Sequence, residues 1–273
     1  MIKVAIKDDL GDRMKAYESL ETERLIAPGL PLVVRLDGRA FSTFTRGMDK
    51  PFDARMSGIM RTVTARLIEE THALVGYTQS DEITLILERE TPESDPIFGG
   101  RVFKIVSVLA AMASAKFMLL AAEAWPERVG RIIPSFDCRA FNVPSRVEAV
   151  NALIWREQDA TRNAVQMVAQ ANFTPGQLHG KSAGELVTML AEIGLSMEAF
   201  PVANRLGSYL AKRPVETTLS AEALARIPAP HRPQGPVIRS RVVDLDLAPL
   251  AARKDRVELI CGCDMQRVAT IGA

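Results

Sequence analysis

Residues 31–38 read Pro-Leu-Val-Val-Arg-Leu-Asp-Gly, a short apolar run that stops at Asp37 and Gly38. Aliphatic residues bounded by a turn dipeptide are typical of a buried strand that ends where the chain turns. The spacing of the apolar residues then changes, because over 53–71 they recur at intervals of three and four. Asp53 is placed to cap the first turn of this segment. A strand at 31–36 followed by a helix at 53–71 is therefore predicted.

The segments that follow complete a six-element pattern. Strands are predicted at 73–78 and 83–87 on either side of a hairpin turn, followed by a long Ala-rich helix at 101–124 and a strand at 131–136. Strand, helix, strand, strand, helix, strand is the order of a ferredoxin-like, split βαβ fold, so the expected fold class is α+β. In that topology the first and third strands are antiparallel neighbours, which brings Asp37 next to Asp81 and Glu82.

The second half of the chain adds helices and a little β structure. Helices are predicted at 148–173, 182–193, 196–200 and 220–226, and strands at 237–243 and 256–260, with extended connections around the prolines between 214 and 236. Residues 1–147 are expected to form the catalytic domain. Residues 148–273 are expected to pack on it and need not form an independent domain.

The composition is that of an ordinary globular protein. The chain has 273 residues, 47% hydrophobic and 25% charged, which argues against disordered, collagenous and disulfide-scaffold proteins. Three cysteines and an N-terminus without a signal-like apolar core favour the reducing cytoplasm. The apolar segment 105–125 is interrupted by Lys116 and Glu123, so we interpret it as a buried helix and expect no membrane association.

The net charge of +1 hides a local separation of charge. Residues 67–100 hold eight acids against one base, whereas 31–66 and 101–147 each hold seven bases against three acids. The bases near Asp37 are Arg35, Arg39, Arg46 and Lys50. Arg101 and Lys104 begin the long helix, where unpaired backbone N–H groups add to their charge, so this helix start is predicted to bind a triphosphate.

The carboxylates Asp37, Asp81 and Glu82 would repel one another if they were bare. A divalent cation removes that cost, and oxygen ligands favour Mg²⁺, which also takes oxygens from substrate phosphates. Two such ions about 4 Å apart support in-line phosphoryl displacement. Gly38 lets a backbone carbonyl or a phosphate come close. The simpler alternative is that Asp37-Gly38 and Ser80-Asp-Glu82 are ordinary solvated turns.

Five motifs, read in order, resemble the tRNA-His guanylyltransferase family over about residues 15–213. They are Arg35-Leu-Asp-Gly-Arg39, Lys50-Pro51 with Asp53, Tyr77-Thr-Gln-Ser-Asp-Glu82, Phe136-Asp-Cys-Arg139 with Asn142-Val-Pro144, and Trp155-Arg-Glu-Gln-Asp159. The resemblance implies a sheet like a polymerase palm and addition of nucleotides to a tRNA 5′ end in the 3′-to-5′ direction. It also implies two Mg²⁺ ions, GTP as the preferred nucleotide, and ATP to activate a 5′-monophosphate.

The same resemblance implies roles for individual residues. Asp37, Asp81 and Glu82 are the implied catalytic acids, with Asp37, Asp81 and the backbone of Gly38 as metal ligands. The implied nucleotide-binding residues are Gly38, Arg39, Lys50, Asp53, Ser80, Arg101 and Lys104, and the implied contacts to the tRNA 5′ end are Arg139, Asn163 and Lys181. Family resemblance further implies a cytoplasmic homotetramer.

Two segments depart from the eukaryotic pattern. After Asp159 the chain reads Ala160-Thr-Arg-Asn-Ala-Val-Gln166, where only an Asn matches the eukaryotic segment linked to tRNA-His, and Ala40 and Ser42 replace an Asn and a His. Both departures resemble the guanylyltransferase-like proteins of bacteria and archaea, which favour repair of 5′-truncated tRNAs. Guanylylation of tRNA-His and 5′-end repair therefore both remain open.

Two other functions are compatible with the same elements. A nucleotide cyclase would use the carboxylates on a nucleoside triphosphate without RNA, although the match over 155–213 argues against it. A non-catalytic RNA-binding module would need exposed aromatic residues on the central strands, and Leu32-Val-Val34 and Ile83-Thr-Leu85 provide none.

Overall fold

The fold is built on one antiparallel sheet of six strands. The structure, a computed structural model, describes residues 9–88 and 94–262. The strands are β1 (Leu32–Arg39), β2 (Val75–Gln79), β3 (Glu82–Leu87), β4 (Ser135–Asn142), β5 (Ser208–Thr217) and β6 (Val237–Leu245). Their order across the sheet is β4-β1-β3-β2-β5-β6. The first four strands keep the ferredoxin-like order, so the predicted fold class is confirmed.

Helices cover both faces of this sheet. They are α1 (Asp9–Thr22), α2 (Phe41–Phe44), α3 (Ala54–Thr71), α4 (Val102–Ala124), α5 (Arg146–Asn172), α6 (Pro175–Leu178), α7 (Ala183–Glu192), α8 (Val202–Leu206), α9 (Ala221–Ala225) and α10 (Arg256–Cys261). Short 3₁₀ turns lie at Ile97–Gly100, Met197–Ala199, Ala229–His231 and Leu250–Ala252. The predicted helices at 53–71, 101–124, 148–173, 182–193 and 220–226 are present within two residues at each end, whereas 196–200 is only a 3₁₀ turn.

The alternation of side chains along β1 divides the core in two. Leu32, Val34 and Leu36 face α3 and α4, whereas Val33 faces the opposite side, where α5 packs. α3 begins at the predicted cap, because the Asp53 carboxylate accepts the backbone N–H of Arg55 at 2.9 Å. The sheet is thus held between α3 and α4 on one face and α5 on the other.

α4 is buried on one side only. Every fourth residue from Ile105 to Ala121 is buried in the core, but Phe103 is 56% exposed and Leu119 is 66% exposed. By length and composition alone α4 is apolar enough to cross a membrane. The predicted buried helix at 105–125 is therefore present with one face in the core and the other exposed, and the absence of membrane association stays a prediction.

Two predicted strands are wrong in place or type. The last palm strand was expected at 131–136, but β4 begins at Ser135 and continues to Asn142, whose side chain bonds the N–H of Ala27 at 2.7 Å and fixes the register. Residues 256–260 form α10 and not a strand, because Ile260 and Cys261 point together into the core beneath α5. In both cases contacts with residues far away in the sequence determined which local structure formed.

Several elements were not predicted: β5, α1 and the short helices α2, α6 and α8. β5 pairs with β2 from Ser208 to Leu210 and continues past it with β6 alone, so Pro214, which has no N–H, lies where only one strand neighbours it. Through β5 and β6 the C-terminal half extends the sheet of the N-terminal half. The unpredicted helix α1 buries none of its residues. The proposed division at residue 147 falls just inside α5 and stays a prediction.

Candidate functional site

The predicted carboxylates meet at one end of the sheet. β1 reaches Asp37 where β3 begins, so Asp37 lies directly opposite Glu82. Asp81 occupies the two-residue turn between β2 and β3, beside Ser80, which adopts a positive φ of 49°. We call this region, residues 37–38 and 80–82, the carboxylate end of the sheet. Antiparallel pairing thus joins residues that are more than forty positions apart.

Asp81 lies against the backbone of Gly38. A Cβ atom added to Gly38 would stand 2.7 Å from Asp81 Oδ2 and 2.4 Å from Phe41 Cδ2, so any side chain here would displace the carboxylate or the ring. Burial raises the pKa of Asp81 and the Asp37 charge raises it further, while the Ser80 side chain opposes this by hydrogen bonding to the carboxylate. The two aspartates are therefore close enough to repel each other, and a cation would relieve that repulsion.

Glu82 belongs to a different interaction. Its carboxylate is held by both Nε and Nη2 of Arg156 on α5, with Nη2–Oε2 at 2.7 Å, and Arg156 also bonds Asp159 at 2.7 Å. Both partners of this ion pair are buried, and burial raises the pKa of Glu82 although Arg156 opposes it. Glu82 therefore lies beside Asp37 as predicted but has a counter-charge from α5, and its implied catalytic role stays a prediction.

The remaining pair fits a magnesium site. In the described part of the chain no group of three His, Cys, Asp or Glu side chains could hold a metal. Mg²⁺ does not need one, since it binds through one or two carboxylates and completes its shell with water and substrate phosphates. Asp37, Asp81 and the open backbone of Gly38 supply that kind of oxygen set.

The sheet face beside Asp37 carries further charge. Across β1 and β4, Asp37 stands opposite Asp137, and Arg35 stands opposite Arg139. Arg139 is exposed and pairs with Asp137 at 3.3 Å, and its predicted contact with a tRNA 5′ end stays a prediction. The Arg35 guanidinium lies over the Trp155 ring at 5.5 Å, and its buried Nε has no hydrogen-bond partner among the described residues.

The sequence reasoning missed the roles of Trp155 and Arg156. Both lie in one of the motifs quoted above, but nothing local indicates what they contact. Arg156 lies over the Trp155 ring at 4.4 Å while it bonds Glu82. Glu82 on a central strand could have indicated this contact, since a buried carboxylate requires a partner.

Three predicted nucleotide-binding residues lie at the end of β1 and in the loop that leads to α3. Arg39 ends β1 next to Gly38 and is exposed, and Lys50 is exposed in the loop. Asp53 is buried, and its two oxygens accept Nε and Nη2 of Arg55 at 3.1 and 2.8 Å in addition to the N–H that it caps. This hydrogen bonding lowers the pKa of Asp53. Its side chain is thus committed to the start of α3, and a contact with nucleotide stays a prediction.

Arg101 and Lys104 lie at the opposite end of the sheet. The start of α4 is tied to the segment before β1, because Val102 N–H donates to Arg24 O at 2.9 Å. The carboxylate end is level with the middle of the helix, where the Ser114 hydroxyl bonds the N–H of Phe136, the residue opposite Gly38. Thirteen helical residues correspond to about 20 Å. Within one chain the start of α4 therefore does not lie beside the carboxylates, because α4 begins where β3 ends, and its predicted binding of a triphosphate stays a prediction.

The two remaining predicted tRNA contacts lie on helices. Asn163 is exposed on α5, one turn beyond Asp159. Lys181 precedes α7 and pairs with Glu185 at 3.1 Å, so its charge is partly used by the helix cap. The structure does not bring either residue to the carboxylate end, and their contacts with tRNA stay predictions.

Comparison with known proteins identifies this arrangement. The family model described as tRNA-His guanylyltransferase matches residues 11–144, which include the whole carboxylate end. An uncharacterized protein of Acanthamoeba polyphaga mimivirus is 32% identical over 234 residues, covering 78% of this chain and 80% of its own. The chain belongs to the tRNA-His guanylyltransferase family. A probable tRNA(His) guanylyltransferase of Drosophila melanogaster is 25% identical over 217 residues, 74% of each chain.

Solved structures of tRNA-His guanylyltransferase relatives share the fold. A bacterial tRNA(His) guanylyltransferase (Thg1)-like protein in complex with ATP is 29% identical, with a TM-score of 0.77 over 93% of this chain and 100% of that chain. A second such structure, in complex with GTP, is 27% identical with a TM-score of 0.70 and the same coverage. Family membership makes the chain an enzyme, a nucleotidyltransferase, and sets aside the cyclase and the non-catalytic module.

Proposed function

We propose that this enzyme adds nucleotides, GTP by preference, to the 5′ end of tRNA in the 3′-to-5′ direction. The observation that carries the proposal is the Asp81 carboxylate packed on the Gly38 backbone beside Asp37. These two side chains and the Gly38 carbonyl would hold two Mg²⁺ ions. When bound, Mg²⁺ supplies positive charge that stabilises the attacking and leaving oxygens of a phosphoryl displacement.

The protein's own residues prepare this site before substrate arrives. Ser80 orients the Asp81 carboxylate through its hydrogen bond, and the Phe41 ring closes one side of the Gly38 backbone. Arg156 keeps Glu82 in place, so Glu82 supports the site as a fixed negative charge and not as a mobile ligand. Held in this way, the two aspartates present oxygens in a fixed geometry, which is the main requirement in phosphoryl transfer.

We further propose that ATP serves to activate a 5′-monophosphate before GTP is used. The solved complexes of similar bacterial proteins, one with ATP and one with GTP, support the use of both nucleotides. A tRNA with a 5′-triphosphate needs no activation, so ATP is expected to matter for one kind of 5′ end only.

The tRNA substrate is proposed to be a 5′-truncated tRNA. The exposed face of α5 at Arg162 and Asn163 carries the segment that departs from the eukaryotic pattern, and this supports repair over obligatory guanylylation of tRNA-His. The enzyme is further proposed to act as a cytoplasmic homotetramer without membrane association. The exposed apolar face of α4 supports self-association.

The test is incorporation of labelled GTP. The enzyme with Mg²⁺ is given a tRNA that lacks its first nucleotide, with a 5′-mono- or 5′-triphosphate, and full-length tRNA-His in parallel. We expect label at the 5′ end of the truncated tRNA, dependent on ATP for the monophosphate only. Label on tRNA-His alone would favour guanylylation, and no label on any tRNA would contradict the proposed function.

A further inference from the structure

Three arginines share one face of the ribbon that β5 and β6 form beyond β2. Arg213 on β5 lies directly opposite Arg241 on β6, and Arg239 lies opposite Val215, the next residue of β5 on the same side. Side chains of directly opposed residues stand on the same face, and alternate residues along a strand share it. We call Arg213, Arg239 and Arg241 the arginine patch.

The residues between them identify that face. Lys212 bonds the carbonyl of Glu69 on α3 at 3.4 Å, and Asp244 pairs with Arg61, also on α3. Because Lys212 and Asp244 alternate with the patch residues, the patch points away from α3. It therefore lies on the same face of the sheet as Asp37 and Glu82, with α5 packed over the strands between.

Nothing in the described part of the chain neutralises this charge. The ion pairs found there include Arg66 with Glu70 and Arg226 with Glu222, but none to a patch residue. Burial lowers the pKa of Arg213, and no acid offsets that effect. Like charges that lie directly opposite each other destabilise a sheet, so the pairing of Arg213 with Arg241 is expected to lower the stability of the fold.

The patch is far from the reacting groups. Arg213 lies five residues beyond Ser208, which pairs with Thr78 near the carboxylate end. Five strand residues span about 17 Å, and β5 is three strand spacings of about 4.8 Å from β1. A group bound at the patch cannot also be the nucleotide at Asp37 and Asp81. RNA duplexes are commonly contacted over about 16 base pairs, so one bound molecule is long enough to reach both places.

We propose that the arginine patch binds the phosphate backbone of the RNA substrate at a distance from its 5′ end. This inference rests on the proposed function for the identity of the RNA. Guanidinium groups suit phosphate because they donate two hydrogen bonds in a planar fork. Contacts of this kind are independent of sequence and add to affinity for the body of the RNA, while the carboxylate end acts on its terminus.

The experiment measures RNA binding as a function of salt, without catalysis. Dissociation constants for 5′-truncated tRNA are determined between 50 and 200 mM KCl, roughly the range in which phosphate contacts are most visible, for wild type and Arg239→Gln/Arg241→Gln. The double variant is expected to bind at least about 10-fold more weakly at the lowest salt. Its slope of log K against log salt should be smaller by about two, one for each lost phosphate contact.

Two matched variants make the result specific. Arg66→Gln/Arg226→Gln removes the same charge from arginines that already have acidic partners, so its salt slope should equal that of wild type. Arg239→Lys/Arg241→Lys keeps the charge and should recover most of the slope. An unchanged slope in the glutamine variant, or an equal loss in the Arg66/Arg226 control, would overturn the proposal.

Transfer of labelled GTP separates this inference from the proposed function. At saturating tRNA, the Arg239→Gln/Arg241→Gln variant should keep its kcat and its KM for GTP, because the patch does not contact the reacting groups. If wild type binds tRNA with the patch-dependent slope but transfers no label, the proposed function fails and the patch stands. If transfer is normal and the slope does not depend on the patch, only the patch assignment fails.

Discussion

At the scale of single residues, Gly38 has the narrowest tolerance in the site. We expect Gly38→Ala to lower the rate of GTP transfer by more than about 100-fold, since displacing the reacting groups by about 1 Å can reduce a rate by that much. The added Cβ would meet Asp81 Oδ2 at 2.7 Å and force the carboxylate away. Transfer of labelled GTP measures the loss of activity, and thermal unfolding measures any change in stability.

The control for this substitution is Gly58→Ala in α3, where the structure offers the new methyl group open space. A helical Gly→Ala change should leave activity intact and raise stability by up to about 1 kcal/mol. Full activity in Gly38→Ala would show that Asp81 can move without consequence, contrary to the proposed site.

The aspartate pair should behave as functional and not as stabilising groups. We expect Asp37→Asn and Asp81→Asn each to abolish detectable transfer at any Mg²⁺ concentration, because each removes a proposed ligand. The Asp81 variant should unfold at the same or a higher urea concentration, since burial and the Asp37 charge disfavour its ionised form. Asp49→Asn, an exposed change in the loop between β1 and α3, should alter neither property. Near-normal rates in either variant would rule out the metal assignment.

The Glu82–Arg156 ion pair predicts an asymmetric loss of stability. Arg156→Gln leaves Glu82 buried without a counter-charge and should cost about 3–5 kcal/mol, whereas Glu82→Gln leaves Arg156 its second partner, Asp159, and should cost less. Urea unfolding of both single variants and of the double variant measures the coupling. Equal and additive losses would mean that the two side chains do not interact as the structure has them.

At the scale of elements, a buried carboxylate joins α5 to the C-terminal segment. Glu157 on α5 accepts the N–H of Leu250 at 3.0 Å and the hydroxyl of Tyr209 at 2.9 Å, and no cation contacts it in the described residues. Burial raises the pKa of Glu157, while the hydrogen bonds from Leu250 and Tyr209 oppose this. Folding therefore shifts Glu157 towards its protonated form relative to the unfolded chain.

The pH dependence of stability follows from that direction. Because the folded pKa lies above the unfolded one, the contribution of Glu157 is complete below about pH 4.3 and is lost as pH rises through the folded value. We expect the urea midpoint of Glu157→Gln to fall less than that of wild type between about pH 4.3 and pH 7. Asp81 and Glu82 also have raised pKa values and remain in both proteins, so the difference isolates Glu157. Parallel pH profiles would contradict the assignment.

The positions of the elements explain why some site residues could be predicted and others could not. Asp37 and Asp81 follow from the order of the strands, since two antiparallel neighbours must bring the end of one to the start of the other. The local sequence puts Arg101 at a helix start, but it does not indicate at which end of the sheet that helix begins. The partner of Glu82 depends on how α5 crosses the sheet, which no local pattern specifies.

At the scale of the whole molecule, α4 predicts how copies of the chain associate. Phe103 and Leu119 expose large apolar surfaces on the face turned away from the core, as surfaces that take part in assembly commonly do. We expect Phe103→Glu/Leu119→Glu to shift the protein from oligomer towards monomer, as measured by sedimentation velocity. Ile238→Glu, at a residue 76% exposed on β6, is the control for an isolated apolar side chain and should leave assembly unchanged. Identical sedimentation of all three proteins would exclude α4 as the interface.

By itself the sequence determined the ferredoxin-like order of the first four strands and the meeting of Asp37 with Asp81. Hydrophobic periodicity is a local property, and few topologies are compatible with a given order of elements. Only the tertiary structure decided that Glu82 is bound by Arg156, that Arg101 lies at the far end of the sheet, that β5 joins β2, and that residues 256–260 are helical. Each of these depends on contacts between residues far apart in the chain, whose energies outweigh the local preferences that sequence patterns report.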